Sequence, residues 1–355
     1  MKQGRSLRQA KAEQAAKKRQ AKKRKRILVL VIELLVLFSL LGIGYIITRE
    51  DVPQEQQREA VEENITESVS QEGYTTVAIF GGEATVNGQQ SGINLDTMLV
   101  VSIDEENKEI RLVSIYRDLL TKQSNDQIKK AYTAYFEEGP MGAMRMLNQN
   151  FDLGIQEYIV LDHQIMADIV DCFGGVYVSV TATEADEMNR QIREEGSVVS
   201  GGNQILNGTQ AVRYAQISKS SLGGDYKRTE REKAVIQELI SEMKQSESTV
   251  ISGMIEQVYP QLITSLEMEE FQELVSEAAQ YDLIDAKGFA FDYMEGTIEG
   301  IGSVVIAVDF EGNVKELHRF LYPKNEYVVS GMVREIDAEM DSYYSQESSS
   351  EETGE

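Results

Sequence analysis

Between Ile27 and Thr48 the chain runs 22 residues with a single charged side chain, Glu33. As an α-helix this segment rises roughly 33 Å at 1.5 Å per residue, enough to cross the hydrocarbon core of a bilayer. The run is too long for the core of an ordinary signal peptide, and Leu41 to Ile47 offers no clear small-x-small cleavage site before the polar residues. The expectation is an uncleaved signal anchor, in which Glu33 is costly and calls for pairing or access to water.

Charge sets the orientation. Residues 1–26 hold twelve Lys/Arg and one acid, net +11, whereas residues 27–355 hold 23 basic and 58 acidic side chains, net −35. An excess of Lys/Arg marks the cytoplasmic flank, so the arm is expected inside and residues 50–355 outside the cell membrane, as a single-pass protein with an extracellular C-terminal domain. Taken alone, the arm would also suit a nucleic-acid contact, but it has no room for a fold, and the acidic remainder repels polyanions. No nucleic-acid partner is expected, and a transcription attenuator does not fit this topology. The only cysteine, Cys172, rules out an intrachain disulfide, and two His without a Cys cluster leave no zinc ligand set of the usual kind.

Residues 49–72 are rich in Gln and Glu and read as a polar stalk. Residues 73–330 change character. Tyr74–Phe80, Thr97–Ile103, Glu109–Tyr116 and Gln156–Leu161 are short β-branched, apolar runs that predict buried strands. Helical spacing joins Ile128, Ala131, Tyr132 and Tyr135, and again Ile165, Met166, Ile169, Val170 and Phe173 ahead of Gly174-Gly175. After Val176–Val180 a polar loop is expected up to Gly201-Gly202, then helices over Thr209–Ser218 and Tyr226–Met243. Thr264 to Glu267 has capping-box spacing for a helix ending near Tyr281. Late strands are expected at Phe289–Tyr293 and Gly302–Val308, and a helix at Lys315–Leu321. Residues 331–355, acidic and Ser-rich above all from 337, read as a disordered tail. Strands alternating with helices predict a layered α/β domain, preceded by one transmembrane helix.

Three segments, in order, carry a resemblance. Leu95-Asp96-Thr97-Met98 leads to Leu112-Val113-Ser114-Ile115-Tyr116-Arg117-Asp118; Gln156-Glu157-Tyr158 leads to Phe173-Gly174-Gly175-Val176; Leu206-Asn207-Gly208-Thr209-Gln210-Ala211 precedes Asp225-Tyr226-Lys227-Arg228-Thr229-Glu230-Arg231. Over about residues 74–240 the chain resembles the LytR-CpsA-Psr family of cell-envelope proteins. The resemblance implies a phosphotransferase that moves a glycopolymer, of teichoic-acid or capsule type, from a polyprenyl-pyrophosphate carrier onto peptidoglycan. It also implies a mixed α/β fold, with a mixed central sheet sandwiched by helices in an α/β/α arrangement, an apolar tunnel for the lipid and a Mg²⁺ ion near the pyrophosphate.

Such a transfer develops negative charge on the leaving phosphate and needs fixed cations. Arg117, just past a strand end, is the first candidate, with Asp118 beside it. Arg228 and Arg231 fall in the first turns of a helix that Asp225 can cap, so the helix N-terminus adds to the same anion site. The resemblance assigns Mg²⁺ to Glu83 and Asp96, with Glu83 standing where Asp is more usual. Other departures follow: Asn94 replaces a common Arg, and Gln216 and Ser218 replace two arginines, which weakens the cation set, while Tyr116 replaces Pro and changes only loop stiffness. Arg213, one turn before Gln216, and Lys219 are candidates for partial replacement. A binding protein that keeps the polyprenyl-phosphate pocket without turnover is the rival expectation.

Overall fold

The computed structural model describes residues 71–85, 92–191, 199–218 and 224–352. The basic arm, the apolar span and stalk residues 49–70 lie outside the described residues. Among the described residues no helix is long and apolar enough to cross a membrane.

Strands β1 (Tyr74–Thr85), β2 (Gly92–Asp104) and β3 (Glu109–Ile115) form an antiparallel meander. A small hairpin, β4 (Leu120–Lys122) and β5 (Ile128–Lys130), leads into α1 (Tyr132–Phe151). Within α1, Gly139 at φ 69° breaks the regular path, and Pro140 restarts it where a missing N–H does no harm. Next come β6 (Glu157–Asp162), α2 (His163–Cys172), β7 (Val176–Val180), α3 (Ala182–Gln191) and β8 (Gly202–Leu206). Helices α4 (Gly208–Ala215), α5 (Gly224–Gln245) and α6 (Ser248–Val258) precede β9 (Ile263–Thr264) and α7 (Met268–Ala278). The chain closes with β10 (Asp282–Phe289), the hairpin β11 (Tyr293–Ile298) and β12 (Gly302–Ala307), then α8 (Phe310–Leu321) and α9 (Gly331–Glu352).

Six strands form the central sheet in the order β10-β3-β2-β1-β6-β9. β1 with β6 and β10 with β3 are parallel, while β2 opposes both its neighbours, so β1, β3, β6 and β10 all end at one edge. Alternation along the strands sends Ala78, Phe80, Val100, Val113 and Ile115 to one face, against Leu147 and Phe151 of α1 and Val314 and Leu317 of α8. Val77 and Ile159 face the other way, onto α2, α6 and α7, and Val101, Ile103 and Leu112 meet Ile236 and Ile240 of α5. The mixed sheet with helices on both faces is the expected layered α/β architecture.

Several local expectations are corrected. Ile128 belongs to the short strand β5, not to a helix; α1 begins only at Tyr132. The polar loop before Gly201 contains α3, and β8 follows it, pairing with β7. In that ribbon only Leu206 of β8 is buried while Ile205 is 65% exposed, so the strand lacks the alternating pattern that reveals one. Helix α6 was not anticipated. The capping box belongs to Glu267 and Glu270; Thr264 instead lies in β9. Phe289–Tyr293 straddles the end of β10 and the start of β11. The expected disordered tail is helical from Gly331 to Glu352, anchored by buried Val333, Ile336 and Met340. Three apolar residues at helical spacing were enough, although acidic and Ser residues dominate the composition around them.

Candidate functional site

The edge where β1, β3, β6 and β10 end is shaped by a β-bulge. Gly81 pairs with Thr97 and Gly82 with Leu95, which leaves Asp96 as the extra residue of β2. A bulge re-aims the side chain it carries. A Cβ on Gly82 would lie 2.2 Å from the carbonyl oxygen of Asn94, so glycine is required for the strands to approach here.

Asp96 is the hub of a small polar cluster. Its Oδ2 lies 2.9 Å from Nε2 of His163, the first residue of α2, and accepts from the Gln216 amide at 3.0 Å; its Oδ1 accepts from Thr97 Oγ1 at 3.0 Å. The Gln216 amide also meets the His163 ring. Arg228, entering from α5, donates to the backbone carbonyl of Asp96, to Thr97 Oγ1 at 3.0 Å and, through Nε, to Glu232 Oε1 at 3.1 Å. Burial alone would raise the Asp96 carboxyl; the hydrogen bond and charge of His163, with the charge of Arg228, outweigh it and hold Asp96 below its ordinary value. Glu232 behaves oppositely, because its deep burial pushes it up against the pull of Arg228 and Ser114.

The sequence candidates separate into groups. Arg213 joins the cluster through Gln216, whose Oε1 accepts from Nη1 of Arg213 at 3.2 Å. Arg117 follows the end of β3 at the same sheet edge, in a turn that the backbone N–H of Leu119 closes by donating to the Tyr116 carbonyl at 3.0 Å. Its side chain is 52% exposed, with Nε 3.4 Å from Asp118. Asp118 in turn holds Lys130 at 2.9 Å, while its backbone carbonyl accepts from Val305, so it ties two hairpins together beside Arg117. Arg231 points inward instead. It is buried, with Nε 2.7 Å from Glu184 and Nη1 2.7 Å from the carbonyl of Ile217, and it clamps α5 to α3 and to the end of α4. Asp225 lies in the first turn of α5, inside the helix that begins at Gly224; its side chain and Lys219 lie outside the described residues. Sequence reasoning missed His163, Glu232 and Glu184. The signal for His163 was positional, a titratable residue directly after a strand that ends at the ligand-bearing edge.

The carboxylates that the resemblance assigns to Mg²⁺ are Glu83 and Asp96. Glu83, exposed, pairs across the ladder with Asn94, two residues before Asp96. Among the described residues no group of three or more His, Cys, Asp or Glu could hold a metal. Two hard oxygen ligands fit an ion that brings the rest of its shell as phosphate oxygens and water, rather than a protein-caged one.

The sequence model of the LytR_cpsA_psr family matches residues 45–318. The polyisoprenyl-teichoic acid–peptidoglycan teichoic acid transferase TagV of Bacillus subtilis (strain 168) is 27% identical over 151 residues, 42% of this chain and 38% of TagV. The corresponding transferase TagU of Bacillus cereus (strain AH820) is 27% identical over 197 residues, 54% of this chain and 60% of TagU. The chain thus spans about 38% and 60% of the length of these two relatives. The crystal structure of B. subtilis TagV superposes with a TM-score of 0.57 at 21% identity, covering 70% of this chain and 97% of that one, which shows a common fold.

Proposed function

The chain belongs to the LytR_cpsA_psr family, and from that membership we propose that it is a membrane-anchored phosphotransferase, moving an anionic glycopolymer of teichoic-acid or capsule type from a polyprenyl-pyrophosphate carrier to peptidoglycan. One arrangement carries the reading: at the edge where four strands end, Arg228 grips the backbone of Asp96 at a bulge, and the half-exposed Arg117 follows the end of β3 at that same edge.

In this reaction a hydroxyl oxygen of the acceptor bonds to the phosphorus that bears the glycopolymer. The bridging P–O bond breaks, polyprenyl phosphate leaves with the electron pair, and the hydroxyl proton passes to the departing phosphate or to water. Arg117 meets the pyrophosphate oxygens with a planar cation that stays charged throughout. Arg228 is braced by Glu232 and Thr97 and keeps positive potential fixed beside the growing charge. Asp96 stays ionised and, with Glu83, would hold Mg²⁺, whose contribution when bound is to neutralise pyrophosphate oxygens. Arg231 acts through positioning, by fixing the helix that carries Arg228.

A second reading has its own observation. Gln216 stands where family members carry an arginine, and its amide is spent on Asp96 and His163, adding no cation. A protein that binds polyprenyl-phosphate glycopolymers with little turnover would look like this. The test is full-length protein with a polyprenyl-pyrophosphate glycan, with Mg²⁺ and with chelator. Metal-dependent release of polyprenyl phosphate supports the transferase, whereas tight binding without release supports the second reading. For the membrane topology, protease added to intact protoplasts should remove the domain beyond residue 50, and full protection would overturn it.

A further inference from the structure

A cleft of ≈ 320 Å³ lies beside the Arg117–Arg228 edge, among β10, the start of β11 and the first turns of α5. Its lining includes Tyr116 and Thr229, the chain neighbours of Arg117 and Arg228. Its floor is aromatic: Tyr116 and Tyr293 meet edge to face with ring centres 5.4 Å apart, and Phe291 lies alongside. Gly288 fixes the first ring, because a Cβ there would fall 2.2 Å from the Tyr116 hydroxyl oxygen. Asp285, Glu230 and Lys287 make the rim polar.

An aromatic floor under a rim of carboxylates and an ammonium matches a pyranose ring, whose C–H face is apolar and whose hydroxyls both donate and accept. Asp285 pairs with Lys233 at 2.5 Å and the Lys287 ammonium lies 5.5 Å from the Phe291 ring centre, so the rim presents polar groups already held in place, and a further phosphate would face Asp285 and Glu230. We propose that this cleft seats a neutral pyranose of the acceptor glycan, so that its hydroxyl faces the phosphorus held at Arg117 and Arg228. The proposal rests on the phosphotransferase reading for its role, while the sugar site itself is independently testable.

Isothermal titration of the full chain with chitotetraose, an uncharged amino-sugar oligomer, tests it, with geranylgeranyl pyrophosphate titrated separately as the donor-site probe. Chitotetraose is expected to bind and to protect residues 282–298 from hydrogen exchange. Tyr293→Ala should weaken chitotetraose by about fivefold or more, as loss of an aromatic anchor does, with donor affinity unchanged. Tyr293→Phe, which keeps the ring, should restore most of the affinity. No chitotetraose binding, protection confined to another surface, or an unaltered affinity in Tyr293→Ala overturns the proposal. If Tyr293→Ala fails to fold, the exchange map on the unsubstituted protein decides. Donor binding without chitotetraose binding removes the sugar site and spares the transferase reading; the reverse result removes that reading and spares the site.

Discussion

His163 and Asp96 stand 67 residues apart in the chain and 2.9 Å apart in space, Nε2 to Oδ2, at the point where β6 hands over to α2 and β2 bulges. The contact depends on two local events. Asp162 caps α2 by accepting from the backbone N–H of Ile165 at 2.8 Å, which starts the helix at His163, and the bulge turns Asp96 toward it. Gln216 and Arg228 then close on the same aspartate from α4's C-cap and from α5.

His163→Ala should therefore move the Asp96 carboxyl upward. In the folded protein it lies below its ordinary value, because His163 and Arg228 overcome the burial that would raise it. A depressed carboxylate stabilises the fold above its unfolded pKa, and that stabilisation is lost as pH falls through the folded value. Carboxyl carbon NMR of the variant should show Asp96 titrating at higher pH. Stability should also fall less steeply below about pH 4, near the ordinary aspartate value. An unmoved titration would show that Arg228 alone sets the shift.

Arg231 and Arg117 should separate cleanly in their effects. Removing Arg231 leaves Glu184 without its buried partner, a change that costs about 3–5 kcal/mol in such pairs. Arg117 is 52% exposed, so Arg117→Ala should stay within about 0.5 kcal/mol of the unsubstituted protein in urea unfolding. Pyrophosphate binding should show the opposite order, being abolished in Arg117→Ala. Stability lost there with binding intact would make Arg117 a structural residue.

Truncation after Ser330 should prevent cooperative folding. Val333, Ile336 and Met340 are buried on α9, and at about 1.5–3 kcal/mol each their loss reaches about 4.5–9 kcal/mol, the scale of a whole domain's stability. The same cut removes Glu335 and Glu339, each 2.9 Å from Lys122, whose side chain is only 3% exposed. A cooperative thermal transition in the truncated chain would show that α9 is dispensable.

The motifs that made the family legible turn out to be partly architectural. In Leu206-Asn207-Gly208-Thr209-Gln210-Ala211, Asn207 and Gln210 form a capping box, Ala211 is fully buried, and a Cβ on Gly208 would fall 2.0 Å from the carbonyl of Ala167. Gly174 and Gly175 take positive φ to turn the chain after α2. Arg231 belongs to this structural set, and spacing alone could not distinguish it from Arg228, one turn earlier. Four strands of the sheet, β1, β2, β3 and β6, were legible because they are buried, β-branched runs, whereas β9 and β10 were not anticipated. β8 and α9 were hidden as well, since each buries only a few residues within polar surroundings. The partners of Asp96 were hidden for another reason: they meet only through tertiary contacts from α2, α4 and α5.

His318 should make the fold acid-sensitive near neutrality. It is 2% exposed, its Nε2 donates to the carbonyl of Phe151 at 2.8 Å, and its Nδ1 has no hydrogen-bond partner among the described residues. Burial lowers its pKa against the pull of the Phe151 carbonyl and Asp152, so the unfolded chain binds the proton more readily. Stability is full above the ordinary histidine value of about 6.5 and declines as pH falls toward the folded value. Urea midpoints between pH 7.5 and 5 should fall, and fall less in His318→Gln, which cannot gain the charge. Parallel profiles would assign the acid loss to other groups.

Placing arginines at positions 216 and 218 tests directly whether this site is short of cations. Gln216 now donates to Asp96 and accepts from Arg213, while Ser218, two residues on, is exposed. An arginine at 216 keeps a donor for Asp96 but replaces the acceptor for Arg213 with a like charge, which favours an arriving anion between them. A hydrogen bond to a charged group contributes about 1.5–3 kcal/mol, and about 1.4 kcal/mol is one decade in rate. Gln216→Arg with Ser218→Arg should therefore raise turnover of a polyprenyl-pyrophosphate glycan by about tenfold or more, and the gain should vanish with chelator. A fall in turnover would mean that Arg213 already fills the cation role and that the added guanidinium groups repel it. Absence of turnover in both proteins, with binding retained, would favour the glycopolymer-binding reading over the transferase.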